Sequence, residues 1–298
     1  MYNRKNIQNF TIYLLAFLPI ISFGQTIYKG NVVDKISKEK IPFATVGLIK
    51  ANAGINADEN GKFILQAMKE DHSDTLLISC IGYHSAKIPL SALPTDNLYL
   101  LEKKNAILKE VVIGKRTYEQ STTLNELSGC NNHYFGTVGY TVQIAQHFKA
   151  PVEYAKLSEV RICTGVGKKM FRLRVYEMDT VTNLPTNDVA DTIIEIKTSK
   201  SEVRVNVEEY NIVIPGKDFF VAVEWLKVPY NEKYMNIEKN GVKSIQLWYQ
   251  PLVGKVHNYE VIGSTNDFGD GVLQKNYKGE WFKIYTKTIL LISAKVKY

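Results

Sequence analysis

Cysteine is scarce in this chain: Cys80, Cys130 and Cys163 are the three among 298 residues. A low, odd number excludes a small scaffold held together mainly by disulfides. It also leaves at least one thiol free or shared with another chain. Dense basic stretches are missing as well. The net charge is +7, but the basic clusters are short pairs, Lys103-Lys104, Lys115-Arg116 and Lys168-Lys169, interleaved with acids. That pattern describes a solvated basic surface and excludes a nucleic-acid stripe. There is no G-x-S-x-G nucleophile elbow and no phosphate-binding loop. The histidines, His72, His84, His133, His147 and His257, are scattered.

What is present begins at the N-terminus. Arg4 and Lys5 precede an apolar run from Phe10 to Ile21, followed by the small residues of Ser22-Phe23-Gly24. This order of features predicts a secretory signal peptide over 1–24, with Gln25 as the first mature residue. The run is shorter than the roughly 20 residues that span a bilayer, so no transmembrane segment is expected after cleavage. No cysteine follows it to carry a lipid. Residues 1–24 hold two bases and no acid, so cleavage takes the charge from +7 to +5 (7 − 2). Export permits a bridge between Cys130 and Cys163, although spacing alone leaves open whether their Cβ atoms meet. Cys80, inside "LLISCIGY", reads as a small buried core residue.

The rest of the chain alternates as strands do. In "IPFATVGLIK", Ala44, Val46 and Leu48 share one face, and Phe63 and Leu65 do the same in "GKFIL". "DTLLISCIGY" is apolar on both faces, the pattern of a central strand. Between the first two of these lies "INADENGKF", whose Asn56, Asp58, Asn60 and Gly61 nearly spell a calcium loop. A helix–loop–helix calcium site needs a bidentate acid at its twelfth position, and that position is Ala67. Asn and Gly between alternating strands instead predict a tight hairpin turn at Asp58–Gly61.

These residues carry a resemblance. Gly30, Val32-Val33-Asp34, Pro42 with Ala44 and Val46, Asp58 to Phe63, "ISCIGY" and "LKEVVI" resemble a carboxypeptidase-regulatory-like domain. Such domains are common at the mature N-terminus of exported proteins of Bacteroidetes. The resemblance covers about residues 26–113. It implies a transthyretin-like β-sandwich of about seven strands acting as a non-catalytic accessory module. Where the family often has threonine before the turn aspartate, this chain has Ala57.

Two larger proteins that carry such a domain do not fit. A zinc carboxypeptidase needs a His-x-x-Glu pair and a later histidine. His257 and Glu260 have the pair spacing, but no histidine follows. A TonB-dependent receptor needs a plug and a large barrel, which the tail after residue 113 is too short to supply.

The expected fold is all-β, with a signal peptide over 1–24 and a seven-stranded transthyretin-like sandwich over 25–102. A linker over 103–130, with a short helix near 119–127, leads to a larger antiparallel sandwich or jelly roll over 131–298. In the second domain Phe171, Leu173 and Val175 oppose Arg172, Arg174 and Tyr176. "SEVRVNVEEYNIVIPGKDFFVAVEWL" gives two strands around a Pro215-Gly216 turn. "FRLRVYEMDTVTNLP" resembles jelly-roll domains of other exported Bacteroidetes proteins, with no functional motif to carry over.

All three tryptophans lie in the second domain. Trp225 shares parity with Val221 and Val223 and reads as core. Trp248 alternates with Gln246 and Gln250, and Trp281 shares parity with Lys283 and Tyr285. "STNDFGDG" adds the oxygens of Asn266, Asp267 and Asp270, in a Gly-rich turn or a calcium loop. Trp248, Trp281, Tyr285, Asn266, Asp267 and Asp270 are thus the candidate ligand face, an apolar ring platform with polar orienting groups. Cys130, His133, His147 and Cys163 could converge on a metal, and only the first pair has ligand-like spacing. No cofactor and no catalytic residue is expected. Three functions remain open: an envelope protein binding a glycan or protein partner, a structural spacer of the outer membrane, and a hydrolase whose site the sequence does not disclose.

Overall fold

The computed structural model describes residues 26–67, 73–104, 117–126, 129–130, 133–137, 139–190, 192–257, 272–285 and 288–298. The described residues are all-β, with three short 3-10 turns and no α-helix.

The N-terminal sandwich has the seven strands β1 (Thr26–Asp34), β2 (Thr45–Leu48), β3 (Ala53–Asn56), β4 (Lys62–Ala67), β5 (Thr75–Ser79), β6 (Ala86–Pro89) and β7 (Leu98–Leu101). One sheet runs β4-β1-β7 and the other β3-β2-β5-β6. Period-two alternation drives the pairing: Val46, Leu48, Phe63, Leu65, Leu76 and Ile78 all turn inward to one core with Val32 and Tyr99. Burying such a side chain stabilises by roughly 1.5–3 kcal/mol. Ala57 is fully buried in this core.

The Asp58–Gly61 turn forms, but not as a hairpin, because β3 and β4 belong to opposite sheets. The strand β3, which sequence reading left inside the loop, is the reason. It pairs back on β2, so the turn must cross between layers. Asp58 Oδ1 accepts the backbone N–H of Asn60 at 2.8 Å and of Lys62 at 2.9 Å. Gly61 closes the turn at φ +71°, with Val32 O only 2.7 Å from where a Cβ would sit.

The second sandwich contains β8 (Ser121–Leu124), β9 (Tyr134–Thr137), β10 (Thr141–Lys149), β11 (Lys156–Cys163), β12 (Lys169–Met178), β13 (Pro185–Asp188), β14 (Ile194–Thr198) and β15 (Glu202–Asn206). It continues with β16 (Asp218–Trp225), β17 (Glu232–Lys239), β18 (Val242–His257), β19 (Val272–Asn276), β20 (Trp281–Tyr285), β21 (Thr288–Leu290) and β22 (Ile292–Lys297). A large sheet, β13-β12-β16-β10-β19-β20 with β14 also on β12, packs on the sheet β15-β11-β22-β8. Phe171, Leu173, Val175, Val221, Val223 and Trp225 from the first meet Leu157, Val160, Ile162, Ile292 and Val296 from the second. The Trp225 indole N–H donates to Pro251 O at 2.7 Å.

Two expectations change here. Residues 121–124 are a strand on β22, not part of a helix, so part of the 103–130 linker is built into the second sandwich. The strands flanking Pro215-Gly216 lie in opposite sheets, with β15 on β11 and β16 between β12 and β10. The structure also joins Cys130 to Cys163, with their Cα atoms 5.4 Å apart.

The sandwiches share a buried joint. Tyr277, just after β19, lies over Gly47 and Gly54, where a Cβ on Gly47 would come within 2.7 Å of its ring. Phe43 packs with Met170, Leu226 and Val228. Asn56 is fixed from three sides: its amide N–H group donates to Phe43 O and Thr45 Oγ1, and its oxygen accepts Lys227 N–H.

Candidate functional site

The outer face of the large sheet carries chemistry where an ordinary sandwich would carry solvated polar groups. Strand register aligns Arg172, Glu224, Gln143, Lys275 and Trp281 in one rung across β12, β16, β10, β19 and β20. The next rung begins Arg174, Ala222, Ala145 and Leu273. The two alanines leave room for the Tyr176 ring, whose hydroxyl donates to Gln143 Oε1 at 2.8 Å. Tyr176, Phe220, Ala222, Ala145 and Leu273 form a small apolar floor, and Trp281 packs on it.

The charges on this face pair unevenly. Arg174 donates to Asp188 Oδ2 from Nε at 2.6 Å and to Glu224 Oε2 from Nη1 at 2.8 Å. Arg172 is buried, 3.8 Å from Glu224, and donates to Pro42 O and Phe43 O of the first sandwich. Two carboxylates thus serve two guanidinium groups. Lys275 has no carboxylate within ion-pair distance among the described residues. Its ammonium sits 5.4 Å from the Trp281 ring centre and 5.8 Å from that of Tyr176. Burial, helped by the Arg174 cation, pushes the Lys275 pKa down to about 8. Trp281 and Tyr176 meet edge to face at 5.6 Å. Cys80 of the first sandwich lies within reach of the same charges, and burial pushes its thiol up, away from reactivity.

Trp248 and Trp281 of the candidate ligand face stand on strands of different sheets. Trp281 stands in the corner just described. Trp248 lies in a different sheet, over Gly136 of β9 and against Leu252, with its indole N–H on Gln246 Oε1 at 3.2 Å. Parity along a strand gives the face of a residue, not the sheet its strand joins. Tyr285 ends β20 opposite Val272, and its side chain is outside the described residues. Asn266, Asp267 and Asp270 also lie outside them. The metal set does not converge, because Cys130 and Cys163 are bonded to each other. His147 instead pairs with Asp218 at 2.9 Å and packs on Phe220, and burial lowers its pKa against the pull of Asp218. No group of three metal-ligating side chains occurs among the described residues. No helix among them is long and apolar enough to cross a membrane.

Sequence reading missed Lys275, Arg174, Asp188 and Glu224. The signal available was the Arg-x-Arg alternation in β12 opposite a strand with an interior glutamate. Only pairing register reveals that Glu224 and Lys275 share a rung, with Arg174 and Asp188 beside it on the same face.

Residues 28–113 match the family model described as CarboxypepD_reg-like domain. The CarboxypepD_reg-like domain therefore accounts for the first sandwich and reaches beyond its last strand. Cys80 and the Phe43 contact to Arg172 come from the CarboxypepD_reg-like domain, while the rung itself belongs to the second sandwich. No curated protein matches the chain. Among solved structures the chain is similar to the cysteine protease and lectin-like domains of Cwp84, a surface layer associated protein of Clostridium difficile. Identity is 12% and the TM-score 0.37, over 77% of this chain and 47% of that one. The chain spans about half the length of that structure, and a likeness this distant carries no argument about function.

Proposed function

We propose that this is a non-catalytic, exported cell-envelope protein of Bacteroidetes type that binds a glycan through its second sandwich. The supporting observation is the Trp281 corner. A half-buried indole, the buried Tyr176 ring beside it and an ammonium with no counter-ion among the described residues meet at the rim of the large sheet. Rings with adjacent polar donors are how a binding site grips a sugar, whose C–H faces are apolar and whose hydroxyls are not. Export accords with the disulfide, which an oxidising compartment preserves.

A glycan array with purified protein tests the reading. Trp281→Ala is expected to leave near-UV circular dichroism unchanged and to weaken binding by roughly 1–3 kcal/mol, the scale of an aromatic hot spot. Unfolding on this substitution makes Trp281 a core residue and ends the proposal. Export has its own check: the mass of the native protein is expected to begin at Gln25. A second reading, a rigid spacer, is favoured by one observation, the buried joint of Tyr277 over Gly47 and Gly54. It takes the lead if Trp281→Ala changes neither folding nor any envelope phenotype.

A further inference from the structure

We propose that the Lys275 corner selects acidic sugars, with the ammonium meeting a saccharide carboxylate and the Trp281 ring lying against the sugar ring. The inference rests on the glycan reading above and adds the charge of the ligand to it.

The charge count on the outer face of the large sheet carries it. Arg172 and Arg174 share Glu224, and Arg174 also holds Asp188. Three cations, Arg172, Arg174 and Lys275, therefore face two carboxylates, and the surplus falls on Lys275. Lys104, just after β7, also acts on it and is likewise a cation. A half-buried ammonium with no ion-pair partner among the described residues is costly, since desolvation is not offset by an ion pair. The cost is partly met by the Trp281 and Tyr176 rings. A ligand carboxylate would complete the pairing that Glu224 and Asp188 leave unfinished. Tyr176 does not compete for that anion, because its hydroxyl already donates to Gln143. A phosphate would suit the charge equally. Tyr176 and Phe220 are buried, so the group open beside the ammonium is the Trp281 ring rather than a cluster of backbone amides, and that favours a carboxylate borne on a ring.

The test uses the whole protein and titration calorimetry with uronic-acid oligosaccharides, their methyl esters and neutral oligosaccharides of the same length. The esters keep the sugar ring and lose the charge. The acid is expected to bind at least about ten-fold more tightly than its ester, the scale of one charge-assisted hydrogen bond. Lys275→Gln is expected to lose about that factor toward the acid, and Lys275→Arg to retain it. Circular dichroism confirms that both variants fold. Equal binding of acid and ester, or binding of neutral sugars alone, overturns the inference while the glycan reading stands. Binding of acidic peptides but no saccharide, or of none of these probes, overturns both.

Discussion

The side-chain oxygen of Asn56 accepts the backbone N–H of Lys227 at 2.8 Å, joining the end of β3 to the segment after β16. Asn56 N–H also faces Lys227 O at 3.4 Å. One side chain thus ties the two sandwiches together while its own amide N–H group holds Phe43 and Thr45.

Asn56→Ala leaves the buried Lys227 N–H without its acceptor and takes one of two donors from Phe43 O, which keeps Arg172. An unsatisfied buried group costs about 1–3 kcal/mol. The variant is expected to lose roughly 1–3 kcal/mol in urea unfolding. It is also expected to split the transition into two, because the joint weakens more than either core. A single transition with an unchanged midpoint would show that Asn56 does not hold the joint.

Lys227 supplies a pH dependence. It is buried, its Nζ donates to Gly139 O, and the ring of Tyr277 lies 4.9 Å away with that of Tyr249 at 5.9 Å. Burial lowers its pKa from 10.5 to about 7. Between those values the unfolded chain binds the extra proton, so stability rises with pH from about 7 toward 10. Lys275 and Lys169, both lowered to about 8, add to the rise. Tyr277, whose pKa is raised above 10, ends it, because the unfolded chain ionises that phenol first. Lys227→Met is expected to flatten the rise by on the order of 1–3 kcal/mol. Urea midpoints measured from pH 6.5 to 9.5 check this, and an unchanged slope would place the titration elsewhere.

Gly61→Val tests the crossing turn. Its φ of +71° and the 2.7 Å approach of Val32 O leave no place for a branched side chain. The expected loss is roughly 2–4 kcal/mol, carried by the first sandwich. Calorimetry should show the first sandwich melting at a lower temperature than in the unaltered protein. A neutral result would mean that the turn relaxes freely.

Reduction tests the bridge of Cys130 and Cys163, which closes a sequence separation of 33. Chain entropy places its contribution at about 3–4 kcal/mol. The double substitution to serine is expected to lower stability by roughly that amount without touching the first sandwich. Labelling with a thiol reagent under native conditions gives a second readout: no modification at Cys130 in the oxidised protein.

Much of the fold was legible because alternation reports burial directly. Phe63 and Leu65 read inward and are inward, and Trp225 reads as core and is fully buried. The polar turn at Asp58–Gly61 was legible from its side chains, but its crossing was not. That depended on where β3 pairs, and "AGIN" is too short to announce a strand. The linker hid β8 for a related reason: "STTL" pairs with residues more than 160 positions away, and no local pattern encodes a distant edge. The site was half legible. Trp281 stood out as a large ring opposite an apolar face. Its charged neighbours did not, because a rung across five strands is assembled from positions that are scattered in the sequence. Asn56 was noticed for its oxygen, but it turns out to hold protein rather than metal.

The position of β22 bears on how the molecule is made. It carries residues 292–297 and lies between β11 and β8, inside its sheet rather than at the edge. Among the described residues, the first strand of the second sandwich therefore has no partner until residues 292–297 have emerged from a ribosome or a translocation pore. The first sandwich closes far sooner, once β7 reaches β1 at residue 101. Maturation is thus vectorial: an early folded unit waits on a late one, whose assembly is gated by residues 292–297. A deletion beginning at Ile292 would leave β8 and β11 with open edges, the kind of surface that chaperones and proteases survey.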